Sequence, residues 1–190
     1  MRVGSFFLEA SMTEEAIKSN IRTIRDWPKP GINFRDVTTL FENADCFRAV
    51  IKSLVGWARE RDLNCLAGID ARGFVLAGAL AYELGLPLVL VRKKGKLPAE
   101  TLSENYTLEY GQATIEVHNT DTIRGQRVLV IDDLLATGGT ALAAIRLMRR
   151  LGAERVDFAA IINLSELPGQ QLLHEDGIHT FALCNFNESE

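Results

Sequence analysis

From residue 65 onward, short apolar runs alternate with amphipathic stretches. Residues 65–69, 86–92, 128–131 and 156–162 are almost wholly hydrophobic and lack the in-out alternation of a sheet wet on one face. Between them, 74–84 (closed by Gly85) and 140–151 (closed by Gly152) carry helical spacing with a glycine stop. Strands buried on both faces and separated by helices predict an α/β fold, an open mostly parallel sheet with helices on both faces. Residues 178–184 are expected to add an edge strand. Upstream, SMTE at 11–14 has capping-box spacing, and Ile17, Ile21 and Ile24 follow at helical intervals, so a first helix is expected to run up to WPKPG at 27–31. Residues 32–41 form a turn-rich stretch. A second helix is expected over 45–61, with Phe47, Val50, Ile51, Leu54, Val55 and Ala58 on one face. The rhythm breaks over 95–126, where 106–110 and 114–118 alternate around Gly111 as a hairpin does. An excursion of that length in a compact domain is usually functional or mobile.

Length and charge narrow the class. A chain of 190 residues, 47% hydrophobic and 24% charged, fits one domain over 1–190 with a sizeable core. A net charge of -4 argues against a general binder of nucleic acid or of membrane surfaces, and no stretch has the length of a membrane span. One local basic cluster remains, Arg92, Lys93, Lys94 and Lys96. The 3 cysteines are far apart, with no Cys-x-x-Cys, which fits buried reduced thiols. The three histidines show no metal-ligand spacing with each other or with the cysteines. The start lacks the apolar run of a signal peptide, so the expected localisation is cytoplasmic.

The chemistry concentrates in VLVIDDLLATGGT at 128–140. A buried strand runs into Asp132 and Asp133, then a small-residue loop, then a helix. In open α/β sheets, ligands bind beyond the carboxyl ends of the strands. Ala136, Thr137, Gly138, Gly139 and Thr140 would offer backbone N–H groups, two hydroxyls and the positive end of a helix to a phosphate. A P-loop would place a lysine after the glycines, whereas Ala141 follows Thr140, and no Gly-x-Gly-x-x-Gly occurs. The loop therefore suits a terminal monophosphate. Two acids so near a phosphate need something between them that donates hydrogen bonds, and the hydroxyls of a ribose meet that need.

This segment resembles the signature of the type I phosphoribosyltransferases, which bind 5-phosphoribosyl-1-pyrophosphate (PRPP). The resemblance implies that Ala136–Thr140 hold the 5′-phosphate and that Asp132 and Asp133 meet the ribose hydroxyls. Four further segments, PGINFRD at 30–36, GIDARGF at 68–74, VRKKGKLP at 91–98 and YTLEYG at 106–111, resemble the adenine phosphoribosyltransferases in order and spacing. The similarity runs from about residue 27 to about residue 169. It implies adenine + PRPP → AMP + pyrophosphate, with Mg²⁺ bound mainly through PRPP, in a purine-salvage homodimer. It also implies a small N-terminal hood over 1–43 and a flexible catalytic hairpin within 95–126.

Carried over by position, Phe34 would stack on adenine, the backbone of Asn33 and Arg35 would read its edge, and Leu164 would cover the other ring face. Asn163 stands where the family often has Glu. Asp70, Ala71 and Arg72 would meet the pyrophosphate, with Arg92, Lys93 and Lys96 adding charge, one of them from a partner subunit. Glu109 corresponds to the family's general acid, with Tyr110 riding beside it in the closing loop. On spacing alone Glu109 is a solvent-facing hairpin residue, and the resemblance alone assigns it a role. Two alternatives stay open: the same transfer to another purine base, and a PRPP-sensing regulator that lacks catalysis.

Overall fold

The structure, a computed structural model, describes residues 12–108 and 111–187. In chain order the elements are α1 (Glu14–Lys18), β1 (Arg22–Ile24), β2 (Phe34–Asp36), α2 (Thr38–Glu42), α3 (Ala44–Glu60), β3 (Cys65–Ile69), α4 (Arg72–Leu84), β4 (Leu88–Lys93), β5 (Thr101–Leu108), β6 (Gly111–His118), β7 (Arg127–Ile131), β8 (Leu134–Leu135), α5 (Gly139–Arg150), β9 (Arg155–Leu164), α6 (Gly169–Glu175) and β10 (Thr180–Phe186).

The main sheet has the order β10-β9-β7-β3-β4-β6-β5, with β8 paired to β9. The run from β10 to β4 is parallel, with registers such as Leu66↔Leu129 and Leu66↔Leu88. Its residues divide between two cores. Val128 and Val130 join Ala144, Ile145 and Met148 of α5 on one face. Leu129 and Ile131 join Val50 and Leu54 of α3 and Leu76 and Leu80 of α4 on the other. Each such leucine or isoleucine taken from water contributes about 1.5–3 kcal/mol, and burial on both sides is why these strands show no polar alternation. The expected α/β class holds. The Asn43 side chain caps α3 by accepting from the amides of Asp45 and Cys46, both at 3.2 Å.

The amino-terminal expectation needs correction. Ser11 lies outside the described residues, and the helix-starting cap among those described is Thr13, whose hydroxyl accepts from the Ala16 amide at 3.3 Å. The helix then stops at Lys18, well short of Ile24. Asn20 turns the chain: its side-chain amide donates to Ala16 O at 2.8 Å, and its own carbonyl accepts from the Thr39 hydroxyl at 2.7 Å. Residues Arg22–Ile24 instead pair antiparallel with Phe34–Asp36. Ile17 and Ile21 are buried, so their helical spacing records burial rather than a continuous helix. The stretch 32–41 likewise contains β2 and the start of α2.

The 95–126 segment is more regular than its sequence implied. Its hairpin strands are eight residues each and continue the main sheet, β6 pairing antiparallel with β4 at Arg92↔Glu116. Ile115 and Val117 of β6 reach the core beneath α5.

Candidate active site

The carboxyl edge of β7 leads into the acid pair. Asp132 donates its amide to Ala159 O at 3.1 Å, and Asp133 O accepts from the amides of Ile161 and Ile162 at 3.1 and 3.0 Å. These bonds anchor both acids to β9. Leu134 and Leu135 pair alongside Ile162 and Asn163, and the chain then turns through Ala136–Gly138 into α5. Gly138 caps that helix at φ +83°, a conformation that favours glycine, and Gly169 packs against it. The Gly169 amide donates to Ala136 O at 3.0 Å, and a Cβ on Gly169 would lie 2.2 Å from that oxygen. Among the described residues, the amides of Thr137, Gly138, Gly139, Thr140 and Ala141 have no protein acceptor. Five bare N–H groups at the positive end of a helix form an anion cradle.

Arg72, at the start of α4, reaches the same edge. Its Nε donates to Asp133 Oδ2 at 2.5 Å. The approach requires Gly73, because a Cβ there would sit 2.5 Å from Ile131 O. The Arg72 guanidinium carbon lies 5.8 Å from the centre of the Phe34 ring, which meets Trp27 edge-on at 4.5 Å. Burial, followed by the charge of Asp133, pushes the Asp132 carboxyl well above its usual range, with Arg72 opposing more weakly. An acid raised in this way favours the folded state while protonated, and that contribution is lost as pH rises through the raised value. Hydrogen-bond donors brought by a ligand would favour the ionised form.

Phe34, Arg35, Arg72, Asp132, Asp133, all of Ala136–Thr140 and Leu164 line one cleft of about 480 Å³. Asn33 lines an adjoining pocket of about 250 Å³ that shares Arg35, Ala136 and Leu164 with it. The Arg35 side chain is turned inward. It donates to the Thr23 hydroxyl at 2.6 Å and to Asn187 O at 2.9 Å and lies over the Phe186 ring, leaving its backbone at the pockets. Asn163 is buried, and its amide donates to Gln170 Oε1 and Asn185 Oδ1 at 3.0 and 2.9 Å; it lines neither pocket.

Asp70 and Ala71 lie between β3 and α4, Arg92 and Lys93 end β4, Lys96 lies in the turn after it, and none of the five lines the cleft. The Asp70–Ala71 peptide is cis. Arg92 links the two segments, donating from Nε to Asp70 Oδ2 at 3.2 Å and from Nη1 to Lys96 O at 3.1 Å. Lys93, Lys94 and Lys96 are exposed. Glu109 and Tyr110 lie outside the described residues. Burial pushes the Cys65 thiol up to about 11, which argues against a nucleophilic role for it.

Two contributors were not anticipated. One is Gly169 with α6, signalled in the sequence only by Pro168-Gly169 before Leu172-Leu173. The other is Glu116, whose bonds to the basic turn no local pattern announces.

A cleft that joins an amide cradle, an acid pair and an aromatic ring at the carboxyl edge of a parallel sheet has the donors, acceptors and ring face suited to a phosphorylated sugar and a flat ring. The sequence model of the phosphoribosyl transferase domain matches residues 40–181. Adenine phosphoribosyltransferase of Chromohalobacter salexigens is 51% identical over 180 residues, spanning 95% of this chain and 99% of that protein. The crystal structure of the adenine phosphoribosyltransferase of Thermoanaerobacter pseudethanolicus superposes with a TM-score of 0.86 at 43% identity, over 92% of this chain and 100% of that one. The Giardia lamblia enzyme complexed with 9-deazaadenine superposes at 0.85 with 32% identity, over 92% and 98%. The chain belongs to the phosphoribosyl transferase family, within its adenine phosphoribosyltransferase branch.

Proposed function

We propose that this chain transfers the 5-phosphoribosyl group of PRPP to adenine, releasing AMP and pyrophosphate, with the cleft above as its active site. The observation that carries the assignment of roles is the convergence in one cleft of Phe34 and Leu164, the Asp132–Asp133 pair and the five bare amides from Thr137 to Ala141. In this reading Phe34 and Leu164 sandwich the base, and the backbone of Asn33 and Arg35 reads its edge. The acid pair accepts the ribose 2′- and 3′-hydroxyls, and Ala136–Thr140 hold the 5′-phosphate. Arg72, which neutralises Asp133 here, turns to the pyrophosphate as the ribose hydroxyls take over that carboxylate. Asp70, Ala71, Arg92, Lys93 and Lys96 complete the pyrophosphate side.

The reaction breaks the C1–O bond to pyrophosphate and forms the C1–N9 bond to adenine, through a sugar with oxocarbenium character. Fixed cations aimed at the departing pyrophosphate stabilise the charge that develops there. Glu109 serves as the proton-transfer group near adenine N7, accepting the proton that the purine gives up as N9 bonds to C1 and returning it to N7 as a general acid in the reverse direction, and Tyr110 packs beside it. Among the described residues, no three acidic, histidine or cysteine side chains converge as a metal cage. Mg²⁺ usually keeps several waters and binds through one or two carboxylates plus substrate phosphates, so these residues fit an ion carried in on PRPP, with Asp132 and Asp133 as available ligands. Bound there, the ion would offset charge on the leaving group.

Two broader properties belong to the same proposal. The protein acts as a homodimer, a reading supported by the exposed apolar Val75 and Tyr82 on α4 and Leu90 on β4. It works in the cytoplasm, where its buried thiols stay reduced. No helix among the described residues is long and apolar enough to cross a membrane. Incubation with Mg-PRPP and, separately, adenine, guanine, hypoxanthine, xanthine or orotate tests the activity. AMP from adenine is the expected product, and its absence would overturn the proposal.

A further inference from the structure

The basic turn after β4 is held by one carboxylate. Glu116 lies opposite Arg92 in the sheet register and is 4% exposed. Its Oε1 accepts three consecutive backbone amides, from Gly95 at 2.9 Å and from Lys96 and Leu97 at 3.0 Å each. Gly95 has φ +81°, so the turn curls its N–H groups around that oxygen. The Leu97 amide, with those of Gly95 and Lys96 behind it, holds the carboxyl below its usual range against the cost of burial. From the other side, Arg92 ties the Lys96 carbonyl to Asp70, the residue two before Arg72. Lys93 at the end of β4 and Lys94 and Lys96 in the turn after it are exposed, with no ion pair among the described residues. One buried anion thus collects the main chain of a turn and leaves its cations available.

We propose that Glu116 is a positioning residue for the pyrophosphate side of the site: by fixing the backbone of Gly95–Leu97 it sets where Lys96 stands relative to Asp70–Arg72, beside Lys93 and Lys94, whose backbone the pairing with Ile115 and the bond to Thr114 O already hold. This rests on the active-site reading above. Glu116 touches neither base nor ribose, so its effect falls on ligands that carry pyrophosphate. A carboxylate oxygen that satisfies three amides is hard to replace, because without it the four-carbon stem of Lys96 would start from a turn whose amides have lost their shared acceptor. Misplacement of about 1 Å costs up to about 100-fold where orientation matters.

The test uses the full-length protein and its Glu116→Ala, Glu116→Gln and Glu116→Asp variants. Titrations with Mg-pyrophosphate and with AMP are combined with KM values for PRPP and adenine. Glu116→Ala is expected to weaken pyrophosphate binding and raise KM for PRPP by about 10-fold or more, with AMP affinity and KM for adenine within twofold. Glu116→Gln keeps an acceptor oxygen in place and should recover at least half of that loss on a logarithmic scale. If the alanine variant does not fold, Glu116→Asp carries the same selective prediction with a loss of at least about threefold. Unchanged pyrophosphate and PRPP constants, or an equal fall in AMP affinity, would overturn the proposal. Wild-type turnover of adenine with PRPP is measured first. Its absence would remove the active-site reading, whereas wild-type turnover with an indifferent Glu116→Ala variant would remove this inference alone.

Discussion

Replacing Gly169 by alanine places one methyl group against the main chain of the anion cradle. The new Cβ would stand 2.2 Å from Ala136 O, 2.9 Å from Gly138 N and 3.0 Å from the Ala136 carbonyl carbon. All three are backbone atoms, so no rotamer change relieves the contact, and either α6 or the loop must retreat by about 1 Å. Overpacking of this kind costs about 1–3 kcal/mol, which for a chain of this size lowers Tm by roughly 2–12 °C. The retreat also stretches the bond from the Gly169 amide to Ala136 O, now 3.0 Å. If the loop yields, its amides shift relative to the phosphate, and AMP and PRPP affinity should fall by about 10- to 100-fold. Calorimetric melting and AMP titration measure the two consequences. Gly56→Ala in α3 is the control, because a Cβ there meets nothing within 4 Å. It should be neutral or stabilise by up to about 1 kcal/mol through helix propensity. A Gly169→Ala protein with wild-type Tm and AMP affinity within twofold would refute the argument that this close approach shapes the cradle.

Three further outcomes follow from the site and from the contacts of Asp36. Glu109→Ala should lower kcat by about 10²–10⁴-fold with PRPP affinity nearly unchanged, and an unaltered kcat in steady-state assays would remove the proton-transfer role. Phe34→Ala should weaken adenine binding by about 0.5–1.5 kcal/mol beyond lost area and leave PRPP binding alone, as separate titrations would reveal. Hydrogen bonds from the Thr38 hydroxyl and then from Arg22 hold the Asp36 carboxyl at about 2, below the usual carboxylate range. A lowered carboxyl contributes stability above its unfolded pKa and loses it as pH falls through the folded value, so urea midpoints should drop between about pH 4 and 2. Asp36→Asn should flatten that limb, and an equally steep limb in the variant would show that other groups cause it.

The amino-acid order by itself determined the parallel α/β core and the cradle. Those features rest on short-range physics: apolar runs too continuous for a half-wet sheet, Asn43 and Gly85 at helix ends, and acids followed by glycines where a strand meets a helix. The matched motifs added the base and the reaction, which spacing alone left open. Tertiary structure decided what depends on partners distant in sequence. Isoleucines at helical spacing became half of a helix and half of a strand pair because Phe34–Asp36 and Asn20 offered better bonds. The hairpin became the end of the main sheet because Arg92 found Glu116 across it. The Arg72–Asp133 pair and the contact of Gly169 with Ala136 join residues 61 and 33 positions apart. Periodicity, caps and turn chemistry act over a few residues, so they set which elements form. Only packing sets which amide reaches which oxygen, and the detailed shape of this site is made of such contacts.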